Sequence, residues 1–293
     1  MPTYIEPVFR PPSEARSLIF QITIGCSQNH CAFCGMYKMK RFSLKPVAEV
    51  FAEIDGIPAR YRHHVDRVFL ADGDALVYPF AGLCAILDRL AGAFPNLARV
   101  GSYASPSSLA TKSVEELQTL REKRLRILYF GLESGDDETL AAVNKGFTAE
   151  EMAREACKAR EAGMKLSVTA ILGVAGRMRS LGHARATAAW VNRVNPEFFS
   201  LLTLFHRHND AFIKTLDQCT RRELLAEARE LLTHLSPQRT ILRSNHVSNF
   251  LELAGSYPKD RERLIASVEE AIARLEGIPG YLDGVPEYGE EYY

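Results

Sequence analysis

Apolar positions along the chain alternate between two spacings. Residues 17–24 (Ser-Leu-Ile-Phe-Gln-Ile-Thr-Ile) are nearly all apolar or β-branched and stop at Gly25, the pattern of a strand covered on both faces. Residues 46–54 then set Val47, Val50, Phe51 and Ile54 at helical spacing, and residues 67–71 predict a short strand running into Asp72-Gly73-Asp74. The alternation continues with a helix over 79–93, carrying Leu83, Ile86, Leu87 and Leu90 on one face, and a strand over 99–103. Ser113-Val-Glu-Glu116 is a capping box that opens a helix, followed by a strand over 126–132. Thr148-Ala-Glu-Glu151 caps a helix that Gly163 stops, ahead of a fifth strand over 165–172. A helix over 184–194, a sixth strand over 198–204, a helix from Thr220 to Leu235, a short seventh strand over 239–243 and a closing helix over 261–275 complete the pattern.

Repeated β-then-α units with short connections imply an α/β fold with a parallel sheet and right-handed crossovers. Pattern alone leaves two arrangements standing, a curled partial barrel and an open doubly wound sheet. In a parallel barrel the chemistry gathers at the C-terminal ends of the strands. Pro2, Pro7, Pro11 and Pro12 rule out a regular helix or central strand over the first residues, so 1–16 read as a leading arm. The expected organisation is that arm, a barrel over 17–235, and a C-terminal extension over 236–293 that closes it. Its last stretch, 277–293, is rich in Gly, Pro, Glu and Tyr and is expected to be extended.

Charge and composition narrow the function. The 293 residues carry 36 Lys plus Arg against 36 Asp plus Glu, so there is no global basic field to gather nucleic acid. The first residues hold neither a basic region nor an apolar core of the signal-peptide kind, and no run approaches about 18 apolar residues. A soluble cytoplasmic protein with reduced cysteines is expected, with neither nucleic acid nor membrane as partner.

The candidate chemistry lies between the first strand and the first helix. In Gly25-Cys-Ser-Gln-Asn-His-Cys-Ala-Phe-Cys-Gly-Met-Tyr-Lys38, Cys26, Cys31 and Cys34 fall within nine residues. Structural zinc needs four ligands, and here only Cys31 and Cys34 form a Cys-x2-Cys pair, with His30, His63 and His64 as the nearest further donors. A four-iron cluster on three cysteines fits better, since the fourth iron then keeps open positions. Cys84, Cys157 and Cys219 are scattered and read as small apolar fillers.

This loop resembles the cluster loop of radical S-adenosylmethionine (SAM) enzymes, with Phe33 as the aromatic before the third cysteine. It departs from the usual Cys-x3-Cys-x2-Cys spacing by one residue in the first gap. A second likeness lies after the fourth strand: Gly131-Leu132-Glu133-Ser134-Gly135 followed by Asn144-Lys145-Gly146 resembles the signature of members similar to oxygen-independent coproporphyrinogen oxidases. The resemblance implies a partial six-stranded (βα)6 TIM-like barrel, with a [4Fe-4S] cluster on Cys26, Cys31 and Cys34 and SAM as cofactor. It further implies that Phe33 lies against the cofactor, that Asp74 takes the methionyl amine, that Glu133 approaches the cofactor's polar groups and that Lys145 pairs with its carboxylate. Tyr103 or Ser105, and Ser167 or Thr169, occupy places for ribose hydroxyls, and 171–176 for passage beside adenine.

By barrel logic the polar loops 204–210 and 244–249 sit at the catalytic mouth. His206, His208 and His246, with Asn245 and Asn249, are therefore candidates for substrate contact or proton transfer. The implied activity is one-electron cleavage of SAM to a 5′-deoxyadenosyl radical that takes hydrogen from a small molecule or short peptide, with flavodoxin or ferredoxin as electron donor and oxygen sensitivity as a consequence. Two other readings stand beside it: a haem-trafficking type of binding protein that keeps the cluster without turnover, and a colourless zinc-stabilised barrel.

Overall fold

The principal sheet is built outward from a strand whose free edge is occupied by the N-terminal arm. In the computed structural model, which describes residues 2–206 and 208–286, eight strands follow one another in chain order. They are β1 (Leu18–Gln21), β2 (Arg67–Ala71), β3 (Arg99–Ala104), β4 (Leu125–Glu133), β5 (Lys165–Leu172), β6 (Phe198–Thr203), β7 (Ile241–Arg243) and β8 (Ala254–Ser256). The principal helices are α1 (Val47–Asp55), α2 (Phe80–Ala93), α3 (Val114–Glu122), α4 (Ala149–Glu161), α5 (Gly176–Val194), α6 (Arg221–His234) and α7 (Arg261–Glu276). This is the expected α/β alternation. β7 joins β6 in parallel, whereas β8 runs antiparallel to β7. Among the described residues no pairing closes β8 onto β1, so the sheet is not a closed barrel. Among them also, no helix is long and apolar enough to cross a membrane.

Three departures from the pattern have physical causes. Residues 17–24 do not form one strand: beyond Gln21 the chain changes partners, and Thr23–Ile24 pairs antiparallel with Ser43–Leu44. α5 begins at Gly176, eight residues before the periodicity predicts, because the inward face of its first turns is polar (Ser180, His183 and Thr187, all buried). β8 is Ala-Gly-Ser and carries no apolar signal.

The described chain divides into two compact units. The first holds residues up to 29, 36–130 and 154–166; the second holds 30–35, 131–153 and 167 onward. In the first unit Phe20, Phe69, Leu83, Ile86, Leu87, Leu90 and Phe94 are fully buried between strands and helices. The arm lies along β1: the Gln21 side-chain amide donates to Ile5 O and accepts from Ile5 N, blunting an otherwise open edge. Glu14, at the arm's end, is fully buried and charge-paired with Arg99 at 2.7 Å, while Ser17 and Tyr129 donate to it.

The second unit has a buried polar network at its centre. Glu227 on α6 accepts from Gly173 N at the end of β5 and from Ser180 on α5. His183, one turn further along α5, sets Nε2 3.4 Å from Glu227 and Nδ1 2.7 Å from the hydroxyl of Ser134, just past β4. Burial pushes His183 from its ordinary value down to about 4 and Glu227 up to about 7. The two act oppositely on stability. Below 6.5 the unfolded chain binds a proton that native His183 refuses, so its contribution rises with pH from about 4 to 6.5. Native Glu227 keeps a proton that the unfolded chain has lost, so its contribution falls with pH from 4.5 to about 7. Glu227→Gln should therefore unmask the histidine, giving a stability that climbs between pH 4 and 6.5 by at most about 1.4 kcal/mol per unit in denaturant titrations. A profile unchanged from the parent would refute this account.

Candidate functional site

In the first unit the end of β2 fastens the start of the cysteine loop. Asp72 is fully buried, and its Oδ2 accepts from Gln21 Nε2 (2.9 Å), Gly25 N (3.0 Å) and Lys40 Nζ (2.8 Å). Gly73 N donates to Gly25 O. A Cβ at Gly73 would meet Cys26 Cβ at 2.9 Å and the Tyr37 ring at 2.6 Å, so only glycine lets β2 pass beneath Cys26. Asp74, also fully buried, accepts from the hydroxyls of Ser27 and Ser105 and from Ser105 N. Burial raises its pKa against the pull of those donors.

Residues 30–35 of the loop belong to the second unit and are held there in a similar way. Ala32 N donates to Val143 O, and Asn144 Nδ2 to His30 O. Asn209 is buried and donates from one nitrogen to Phe33 O (2.8 Å) and Phe205 O (3.0 Å). Phe33 packs on Val143, Ile171 and Val174 together with Leu204 and Phe212. Cys34 N lies 3.4 Å from Cys31 O, and none of Cys26, Cys31 and Cys34 is in a disulfide.

At the end of β4, Lys145 Nζ donates to Glu133 Oε1 at 3.0 Å, and both side chains are buried. Glu133 has a positive φ of 64°, rare for a side chain of its size. Its carboxylate folds back over Gly131, where a Cβ would stand 2.2 Å from Oε1. Gly131 therefore keeps open the space in which the two charges meet.

The remaining candidates fall in several places. Thr169 shares a face of β5 with Ile171, the residue that packs on Phe33, by the two-residue period of a strand. Ser167 sits opposite Phe198, the first residue of β6, five residues or roughly 17 Å before the strand's C-terminal end. Tyr103 packs its ring edge-on against Phe69 and near Tyr129. Ser105 is the N-cap of the short helix Pro106–Ala110 as well as a donor to Asp74. His206 is exposed, its Nε2 3.2 Å from Gln218 Oε1, and lines a small pocket with Leu172, Gly173, Thr203 and Leu204. His208 is exposed with φ at 50°. His246 is half-buried, stacks on Phe205 and meets Ser248 through Nδ1, and burial lowers its pKa. Asn249 spends its amide on Leu201 O, Ser244 and Thr203, which makes it a brace for β6, whereas Asn245 is exposed.

Comparison with known proteins now bears on this arrangement. A family model described as the radical SAM superfamily matches residues 20–180, more than half of the chain, and the chain belongs to that superfamily. Its members use a [4Fe-4S] cluster and SAM. Among solved structures it is similar to methylornithine synthase PylB (TM-score 0.54, 12% identity, over 93% of this chain and 83% of that one). It is also similar to the coproporphyrinogen III oxidase HemN from Escherichia coli (TM-score 0.54, 17% identity, 74% and 50%). A third likeness is to the radical SAM methyltransferase TsrM from Kitasatospora setae, of which the chain spans 36% (TM-score 0.50, 19% identity, 64% of this chain). No curated protein sequence matches the chain.

The residues present suit these cofactors. Three cysteines outside any disulfide on one pinned loop are the kind of donor a cluster needs, and a buried Lys and Glu a hydrogen bond apart match the two charges of an amino-acid zwitterion. Lys40 was not among the residues the sequence singled out, and Asp72, Asn144 and Asn209 stood there only as members of the stretches 72–74, 144–146 and 204–210. Gly73→Ala should displace Cys26 and Tyr37, so iron bound after anaerobic reconstitution should fall well below the parent's while far-ultraviolet circular dichroism stays unchanged. Parent-like iron content would show that the close contact is not limiting.

Proposed function

We propose that the chain is a radical SAM enzyme that removes hydrogen from a small molecule or short peptide, and that Cys26, Cys31 and Cys34 are its cluster ligands. The cysteine loop carries this reading: its backbone is pinned at Gly25, Ala32 and Phe33 by Asp72, Val143 and Asn209, and none of its three cysteines is held in a disulfide. When bound, the cluster and SAM together supply a 5′-deoxyadenosyl radical, the hard step that the protein itself does not perform. Lys145 would hold the methionyl carboxylate and Glu133 the ammonium, exchanging their mutual ion pair for the two charges of the ligand. Phe33, with Ile171 and Val174, offers an apolar wall for adenine, and Thr169 a hydroxyl on the same face of β5. Asp74 serves the same site by holding Ser27, next to Cys26, at the end of β2. His206 and His246, on loops joined through Phe205, and His208 between them in sequence from β6, are the residues proposed to meet substrate.

The test is anaerobic reconstitution followed by reduction with dithionite. The protein should turn brown, hold about four irons per chain and release 5′-deoxyadenosine from SAM. Cys26→Ala, Cys31→Ala and Cys34→Ala should each abolish the cluster, while Cys84→Ala and Cys157→Ala leave it intact. Lys145→Ala should keep its iron and lose a charge-assisted contact of roughly 1.5 to 3 kcal/mol, or about ten- to a hundredfold in SAM affinity. Stoichiometric zinc in a colourless protein would sink the proposal.

A further inference from the structure

The segment that leaves the cysteine loop is unusual in charge. Between Glu14 and Glu49 the chain has no Asp or Glu, yet it holds Arg16, Lys38, Lys40, Arg41 and Lys45, in a protein whose total charge is zero. Two of these five are neutralised inside: Lys40 on Asp72 at 2.8 Å and Lys45 on Glu53 at 2.8 Å. Lys38 and Arg41 stand exposed on either side of Lys40, with Met39, 52% exposed, between them.

The arm extends this surface. Lys45 Nζ donates to Thr3 O, Lys40 Nζ to Pro7 O, and the Phe9 ring meets the Tyr37 ring edge-on at 5.5 Å. Residues 3–9 thus run antiparallel along 37–45. Tyr4 and Ile5 are exposed on the arm, as Leu44 is on the neighbouring strand. The result is an apolar surface with basic groups beside it, the composition of a docking site. Two carboxylates lie close by: Glu6 is tied to Val8 N, and Glu49 stands 3.9 Å from Lys45.

This surface lies directly against the start of the cysteine loop. Lys40 Nζ and Gly25 N share one oxygen of Asp72, and a Cβ on Gly25 would stand 3.2 Å from Lys40 Cβ and 3.7 Å from Phe42 Cα. The exposed residues 39 and 41 are therefore covalent neighbours of a buried lysine packed on the residue before Cys26, and Lys38 adjoins Met39. We infer that Lys38, Met39 and Arg41, with Tyr4, Ile5 and Leu44, form the docking surface for an acidic one-electron carrier protein. Opposite charge steers such a carrier, and the apolar residues give the encounter a dry centre. One electron leaves the carrier for the iron–sulfur site, and no bond is made or broken. The inference rests on the function proposed above, since only a chain with a reducible cluster has use for the carrier.

Flavodoxin, an acidic flavin protein, is the probe. Its binding to the reconstituted protein should weaken steeply as salt rises. With reduced flavodoxin as donor, Arg41→Glu should cut 5′-deoxyadenosine release about fivefold or more, and Met39→Ser should cut it less. Iron content and dithionite-driven release should match the parent in both variants, because dithionite needs no docking surface. An unchanged flavodoxin-driven rate, equal losses with both reductants, or parent binding indifferent to salt would overturn the assignment. Binding is read without turnover, so a parent that releases no 5′-deoxyadenosine with dithionite counts against the proposed function and leaves the salt and charge-reversal results to judge the surface.

Discussion

One carboxylate oxygen organises the approach to the cysteine loop. Asp72 Oδ2 receives the backbone of Gly25, the amide of Gln21 and the ammonium of Lys40, and so gathers the strand before the loop and the segment after it. Burying a carboxylate costs several kcal/mol unless charge and hydrogen bonds replace the lost water, and here both are present. Lys40 and Asp72 are each almost inaccessible, so loss of either would leave a buried charge alone. The cysteine loop would then lose its hold at a cost far larger than an exposed ion pair carries. The price of such a joint is justified where loop geometry matters more than stability.

The same arrangement recurs at other strand ends. Asp74 holds Ser27 and Ser105, Asn209 holds Phe33 and Phe205, and Glu227 holds the turn at Gly173. In each case a buried polar side chain takes up backbone or hydroxyl groups that a loop would otherwise leave unsatisfied. Lys145 and Glu133 differ, because they are paired with one another over the space that Gly131 leaves empty. Strain at Glu133, whose φ is positive, fits a residue set by its charge partner rather than by its own backbone preference.

The surface next to the loop shows how one segment can serve inward and outward roles. Lys40 and Lys45 turn into the protein and are neutralised, while Lys38 and Arg41 face solvent with Met39. The whole-chain balance of 36 against 36 hides this local excess, because averages over a chain say nothing about a patch.

The order of strands and helices was set by the sequence itself. Period-two and period-3.6 runs depend only on which residues face the core, and capping boxes at Ser113, Thr148 and Thr220 are satisfied within four residues. The cysteine spacing and the Gly-Leu-Glu-Ser-Gly likeness were legible for the same reason, each being a local pattern. Tertiary structure alone decided what Asp72, Lys40 and Asn209 do, because the partners that give them their roles, Lys40 with Asp72 and Asn209 with Phe33, lie 32 and 176 residues apart and no local pattern records them. It also decided that Ser167 pairs with the first residue of β6 and that α5 starts eight residues early on a polar inner face. A buried polar residue looks the same in sequence as an exposed one, and only the fold supplies the donor or charge that makes its burial tolerable.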